Sequence, residues 1–252
     1  MRVLIYSDVH ANWEALDAMA AATAGRYDAS LCLGDVVGYG ASPNQTSAWV
    51  RDHSPVVIRG NHDRACASLD GIQWFNPAAA AAARWTHATI SPEATAWLQA
   101  LPAGPLAWRE LSLVHGSPLD EDEYLIEPAQ AAGAFAATSA AQHWFGHTHL
   151  QGGFTLADDQ VSAWTTVPPD LPPSQQASSV ALPLRPDARY LFNPGSVGQP
   201  RDGDWRAAFA ILDEGAARVE FHRIPYDLAA AQARILEAGL PARLAERLAK
   251  GK

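Results

Sequence analysis

Five short apolar runs of this chain each lead straight into side chains that bind metals. "RVLIYS" is followed by Asp8-Val9-His10, "SLCLG" by Asp35, "VVIRG" by Asn61-His62-Asp63, "LSLV" by His115-Gly116 and "QHWFG" by His147-Thr148-His149. Imidazole, carboxylate and one amide, with no thiolate, make a donor set suited to Mn, Fe or Zn rather than to Cu(I) or an iron–sulfur cluster. The set Asp8, His10, Asp35, Asn61, His115, His147 and His149 is too large for one tetrahedral ion. With one shared carboxylate it suits two divalent ions ~3.5–4 Å apart. Taken singly, each piece has a bland explanation. A lone D-x-H is noise, G-N-H-D a polar turn, G-H-x-H two surface histidines and His115 a loop residue. Taken together those explanations fail, because five of the nine histidines fall at these run ends. His53, His87, His143 and His222 lie elsewhere and read as structural or solvated. Two divalent ions against Asp8 and Asp35 leave a locally cationic site, which an anionic phosphate ester needs.

The elements that must position these groups follow from the pattern between them. "RVLIYS", "ASLCLG" and "PVVIRG" read as buried strands, short and apolar throughout. Between them, residues 12–24 and a segment opened by Ser42-Pro43 and running to about His53 read as helices. The β-α-β-α-β order predicts parallel strands, with the ligand crevice at their carboxyl ends. If the D-x-H and H-x-H segments stay extended, each puts two side chains on one side. Helices are predicted over 76–88, from Ser91-Pro92 to about Leu101, and from Pro128 to about Thr138, with "LSLVHG" and "QHWFG" as further strands. Beyond residue 150, "GGFTL", "VSAWTTV", "ARYLFN", "AAFAILD" and "ARVEFHRI" are strands without intervening helices, so antiparallel pairing is expected there. Residues 168–186 carry six prolines and read as a surface loop or linker, and a helical pair broken at Gly239-Leu240-Pro241 ends the chain.

Composition narrows the function classes. A chain of 252 residues, 48% hydrophobic, is expected to be one domain over 1–252. A net charge of −9 argues against nonspecific nucleic-acid or anionic-membrane binding. Lysine occurs only at Lys250 and Lys252, which leaves none for Schiff-base chemistry or a G-x-x-x-x-G-K loop. Cys32 and Cys66 form no C-x-x-C, and no run approaches the ~18 apolar residues of a membrane helix. A reducing, cytoplasmic setting is the expectation.

The ordered series D-x-H, G-D, G-N-H-D, H-G and G-H-x-H, from Asp8 to His149, resembles the calcineurin-like metallophosphoesterase superfamily. "NPGSVGQPRDGD" at 193–204 resembles a later motif of its small bacterial and archaeal branch. The resemblance implies an α/β fold, a four-layer αββα sandwich of two mixed sheets flanked by helices. It implies one ion on Asp8, His10, Asp35 and His149 and another on Asp35, Asn61, His115 and His147, with Asp35 bridging. His62 would be the non-ligand histidine near the leaving-group oxygen, and metal-activated hydroxide the nucleophile.

The match departs at "GDVVGYGAS", where phosphoprotein phosphatases carry G-D-x-V-D-R-G. Gly38 stands where an acidic residue would orient the catalytic histidine, so small phosphomonoesters or phosphodiesters, nucleotide-like ones among them, are expected over phosphoproteins. A dinucleoside-polyphosphate hydrolase of the same mechanism is the alternative. A non-catalytic metal-binding scaffold is a rival from another class, disfavoured by the presence of His62 and the full ligand set. Arg59, Arg64 and Arg201 are the cations expected near the site, with Arg201 either touching the substrate phosphate or fixing its loop. Asp63 is expected to order its loop or to pair with an Arg. Tyr39, Trp74, Phe75 and Trp85 are expected mostly to pack the core rather than to line a pocket.

Overall fold

Strand β1 (Arg2–Tyr6) is apolar at every position from Val3 onward because both of its faces are covered. Val3 and Ile5 point between two sheets, while Leu4 and Tyr6 point under helices. A strand buried on both sides shows a continuous apolar run rather than alternation. In the computed structural model, which describes residues 1–167 and 175–252, β2 (Ala29–Cys32) repeats this, with Leu31 between the sheets and Cys32 under the helices.

The remaining described strands are β3 (Val56–Val57), β4 (Leu106–Trp108), β5 (Leu111–Leu113), β6 (Gln142–Trp144), β7 (Gly152–Ala157), β8 (Gln160–Thr165), β9 (Ser178–Pro183), β10 (Arg189–Asn193), β11 (Ala207–Asp213) and β12 (Arg218–Ile224). They form two six-stranded sheets, ordered β3-β2-β1-β11-β12-β9 and β4-β5-β6-β10-β7-β8. β1, β2 and β3 run parallel in the first, and β5, β6 and β10 in the second. The sheets stack through Ile5, Leu31 and Phe221 on one side and Leu113, Trp144 and Phe192 on the other.

Eight helices are described: α1 (Trp13–Thr23), α2 (Pro43–His53), α3 (Asn61–Ser68), α4 (Pro77–Thr89), α5 (Pro92–Ala100), α6 (Pro128–Ala136), α7 (Leu228–Glu237) and α8 (Ala242–Leu248). All but α6 pack on the outer face of the first sheet, around Tyr6, Met19 and Phe209. α6 covers the second through Phe135, against Phe145 and Leu191. The αββα architecture is therefore present, with unequal outer layers.

Helix starts follow their capping chemistry. The Asn12, Asn76 and Ser91 side chains accept backbone N–H groups at the starts of α1, α4 and α5. Three expectations need correction, and one strand was not expected. The third strand pairs only over Val56–Val57, because Arg59 N–H leaves the ladder for the Pro102 carbonyl and Asn61 opens α3. The start of α3 is held by its N3 residue, Asp63, which accepts the Gly60 N–H. Residues 178–183 are not loop but the edge strand β9, where prolines are tolerated because one side of the strand is unpaired; residues 168–174 of the same segment lie outside the described residues. The second half is not wholly antiparallel, since β10 also pairs in parallel with β6. The antiparallel edge strand β4 has no sequence signal that reads as a strand.

On β6, Trp144 fills the core between the sheets, and His143 is fully buried without a hydrogen-bond partner for either ring nitrogen. Burial, with Arg189 adding to it, pushes the His143 pKa down to about 4. Because the folded value lies below the ordinary one, the unfolded chain takes the proton first. The associated stability is present above about pH 6.5 and is lost as pH falls toward 4. In urea unfolding, the stability of His143→Phe relative to the parent should rise by about 2 kcal/mol between pH 8 and pH 5. A difference that does not change with pH would contradict the reading of His143 as a neutral, unpartnered imidazole.

Candidate metal centre

The polar residues after the strands converge through backbone turns, not through extended strand ends. Asp8 (φ 56°), His10 (φ 49°), Asp35 (φ 53°), His147 (φ 65°) and His149 (φ 61°) all lie in the left-handed region. Non-glycine residues enter it at a cost of order 1 kcal/mol or more each, and such strain concentrates at functional sites. The extended D-x-H and H-x-H geometry is therefore corrected. Hydrogen bonds hold the turns: Asp8 N–H donates to the Gly34 carbonyl (3.0 Å), His10 N–H to that of Asp35 (2.9 Å) and Gly146 N–H to that of His115 (2.8 Å). Asn193 braces the last turn by donating to the Gly146 carbonyl (2.8 Å) and Thr148 Oγ1 (2.9 Å), and Ser196 Oγ donates to the Asp8 carbonyl (2.8 Å).

Each of four histidines gives one ring N–H to a backbone carbonyl. The Nδ1 of His10 donates to Val37 (3.1 Å), that of His115 to Leu33 (2.8 Å) and that of His149 to Gln199 (2.5 Å), while His147 uses Nε2 toward Asp122 (3.1 Å). This fixes the tautomers and leaves Nε2 of His10, His115 and His149, and Nδ1 of His147, to carry lone pairs, the arrangement found around metal-binding imidazoles. The Nε2 atoms of His10 and His149 face each other at 3.0 Å. Two lone pairs that close repel unless a cation sits between them.

Possible ligand atoms of Asp8, His10, Asp35 and His149 lie within 4.8 Å of one another, as do those of Asp35, His115 and His147. Asp35 belongs to both groups. Its Oδ1 accepts the His62 N–H (2.8 Å), and its buried Oδ2 has no hydrogen-bond donor, lying 3.6 Å from His10 Nε2 and 3.4 Å from His115 Nε2. Asn61 Oδ1 joins the second group, 3.3 Å from His115 Nε2. The residues thus fit a pair of divalent ions.

The electrostatics agree with that fit. Burial opposes the charge of Asp35, but His115 and His62 outweigh it and hold the carboxyl well below its usual range. Asp8 is likewise held low, by His149 against its burial. Burial pushes His10 and His149 down, and His147 down to about 3, so these imidazoles are neutral as ligands must be. His115 is the exception: burial opposes its charge, yet Asp35 pushes it up to about 10. The Asp35 side of the centre favours positive charge, which a divalent cation would supply.

Comparison with known proteins agrees with this geometry. The calcineurin-like phosphoesterase superfamily domain matches residues 1–216. The chain belongs to this superfamily. It is 31% identical to an uncharacterised protein of Methanocaldococcus jannaschii over 99% of this chain and 98% of that one. A crystal structure of a metallophosphoesterase from Sphaerobacter thermophilus is 39% identical, with a TM-score of 0.83 over 100% of this chain and 99% of that one. A hypothetical protein from Pyrococcus horikoshii shares the fold, at 20% identity and a TM-score of 0.75 over 100% and 98% of the two chains.

Within this calcineurin-like frame, the histidine next to the candidate ligands, His62, is held by rings rather than by an acid. The His62 ring contacts Tyr39 (4.4 Å), Phe75 (4.4 Å) and His10 (4.9 Å). Its Nδ1 is buried without a partner, and a Cβ on Gly38 would come within 2.5 Å of it. Gly38 (φ +89°) is thus where the His62 ring fits, and a larger residue would displace it. Burial pushes the His62 pKa down to about 4, so it is neutral near pH 7. Tyr39 and Phe75 pack the core as expected, while Trp74 does not, and all three also face a cavity. With Asn61, His62, Tyr124 and His147 they line a cleft of about 270 Å³, while Trp85 packs against the core.

The cations are also redistributed. Arg59 and Arg64 both pair with Glu121, and Arg64 also with Asp122, so neither is free for a substrate. Arg201 reaches the Tyr39 hydroxyl (3.3 Å) and the Tyr124 hydroxyl (3.5 Å), with its Nε unpartnered. Nothing in the sequence pointed to Glu121, Asp122 or Tyr124, although Tyr124 stacks on His147 at 4.0 Å. Asp63 pairs with no Arg. Its carboxylate accepts the N–H groups of Val36 (2.8 Å), Val37 (3.2 Å) and Gly60 (3.0 Å), tying the Asp35 loop to the start of α3. Asp63→Ala leaves three buried donors unpaired at ~1–3 kcal/mol each, so a loss on the order of 3 kcal/mol or more in denaturant unfolding is expected. Asp63→Asn should recover part of it. An Ala variant within about 1 kcal/mol of the parent would show that this tie does not hold the loops together.

Proposed function

We propose that the protein hydrolyses small phosphate monoesters or diesters, with two divalent ions, Mn, Fe or Zn, held in the adjoining groups. Asp8, His10, Asp35 and His149 would hold one ion, and Asp35, Asn61, His115 and His147 the other. The observation that carries this reading is Asp35, a carboxylate common to both groups whose second oxygen has no donor among the described residues. When bound, such ions supply Lewis acidity toward phosphoryl oxygens and lower the pKa of water.

The protein's own residues do the rest. The backbone carbonyls of Val37, Leu33, Gln199 and Asp122 hold the four imidazoles in their ligand tautomers. His62, neutral and held by Tyr39 and Phe75, lines the cleft and offers an N–H to a phosphoryl or leaving-group oxygen. Arg201, with its free Nε, adds positive charge at the rim without ligating. Gly38 leaves no carboxylate to pair with His62, which supports small esters over phosphoproteins.

His62→Ala tests the assignment. The variant should retain the parent's metal content and fold yet lose roughly 10²- to 10⁴-fold in kcat on an alkyl phosphate ester. The loss should be smaller on a nitrophenyl ester, whose leaving group needs little help. Equal losses on both would assign His62 to phosphate binding alone. Loss of metal from the variant would make it a ligand and overturn the division of roles.

A further inference from the structure

The cleft beside His62 has a chemistry that the metal groups do not require. Trp74, at the end of the 3-10 turn Ile72–Trp74, leaves 85% of its surface in solvent, the largest exposure among the described large hydrophobic side chains. It lines the cleft together with Tyr39, Phe75 and Tyr124. An indole that packs on nothing contributes little to the fold, and its flat apolar faces suit a planar ring. The Arg64 guanidinium passes beside the turn that carries it, 3.3 Å from where a Gly71 Cβ would be, and its pairs with Glu121 and Asp122 tie α3 to the loop that carries Tyr124.

Charge separates the kinds of ester that fit. Arg64 is the one Lys or Arg among the described residues lining the cleft, and it is already paired with Glu121 and Asp122. A polyphosphate chain running outward along this cleft would meet Asp122 and, apart from Arg201 at the rim beside Tyr39 and Tyr124, no unpaired cation among the described residues that line it. A flat apolar group would meet aromatic faces instead. We infer that the substrate carries one phosphate, bearing a nucleoside or other planar aromatic group that stacks on Trp74 in this cleft. This rests on the phosphoesterase reading above, and it sets aside dinucleoside polyphosphates as the preferred class.

The test compares esters whose leaving oxygen is the same kind of primary ribose alkoxide, adenosine 5′-monophosphate and ribose 5-phosphate, and the methyl diester of each. With metal-loaded parent protein, the adenosine member of the hydrolysed pair should be preferred roughly 10- to 100-fold in kcat/KM, mainly through KM. Trp74→Ala should reduce that preference to about threefold or less, and Trp74→Phe should restore part of it. An equal preference in parent and Trp74→Ala, or none in the parent, overturns the inference. A second readout needs no turnover. In chelator-treated protein, the indole N–H resonance that Trp74→Ala removes should shift with adenosine 5′-monophosphate and not with ribose 5-phosphate. If no ester is hydrolysed, the phosphoesterase reading fails on its own. A Trp74 resonance unmoved by the nucleotide overturns the stacking site whether or not the esters are cleaved.

Discussion

Asp35 is a carboxylate taken almost completely out of water, with one oxygen bound to the His62 N–H and the other left without a donor. A buried charge in that state costs several kcal/mol unless something positive meets it. Much of the surrounding structure follows from keeping it there. A Cβ on Gly60 would come within 2.1 Å of Asp35 Oδ1, and one on Gly34 within 2.5 Å of Gly60 N. The glycines of G-D and G-N-H-D are therefore demanded by the contact between the two loops. Asp63 then fastens those loops through three backbone N–H groups.

The same constraint accounts for the strained turns. Left-handed residues at Asp8, His10, His147 and His149 fold the chain back so that both sheets contribute to one cluster. The stacked sheets supply the rigid base, through Ile5, Leu31, Trp144 and Phe192. Local strain at the top is offset by a dry, tightly packed core beneath it. The cleft walls are built from α3, the 71–75 turn and the loop carrying Tyr124, and they share Asn61 and the Asp122–His147 bond with the cluster.

What could be read from the sequence follows from how locally each feature is encoded. The strands of the parallel core were legible because double burial writes itself as "VLIY" or "SLCL". The residues of the two donor groups were legible because metal-binding types recur where these runs end. The acidic N3 residue that holds the start of α3 was present in G-N-H-D but hidden by the strand reading that preceded it. Other features depend on contacts between distant segments. The edge strand β9 was masked by its prolines and serines, and its pairing with β12 is set by the sheet rather than by composition. The pairing of Arg59 and Arg64 with Glu121, and the stacking of Tyr124 on His147, join residues far apart in the chain. No spacing rule reports them.

The claim at the centre of this account is that one buried carboxylate is shared by two cations. Anomalous diffraction from crystals of the protein loaded with Mn(II) addresses it directly. Two peaks ~3.5–4 Å apart are expected, with Asp35 bound to both. One should lie against Nε2 of His10 and His149, and the other against Nε2 of His115 and Nδ1 of His147. A single fully occupied ion, two ions with Asp35 bound to only one, or an ion coordinated by His62 would contradict it.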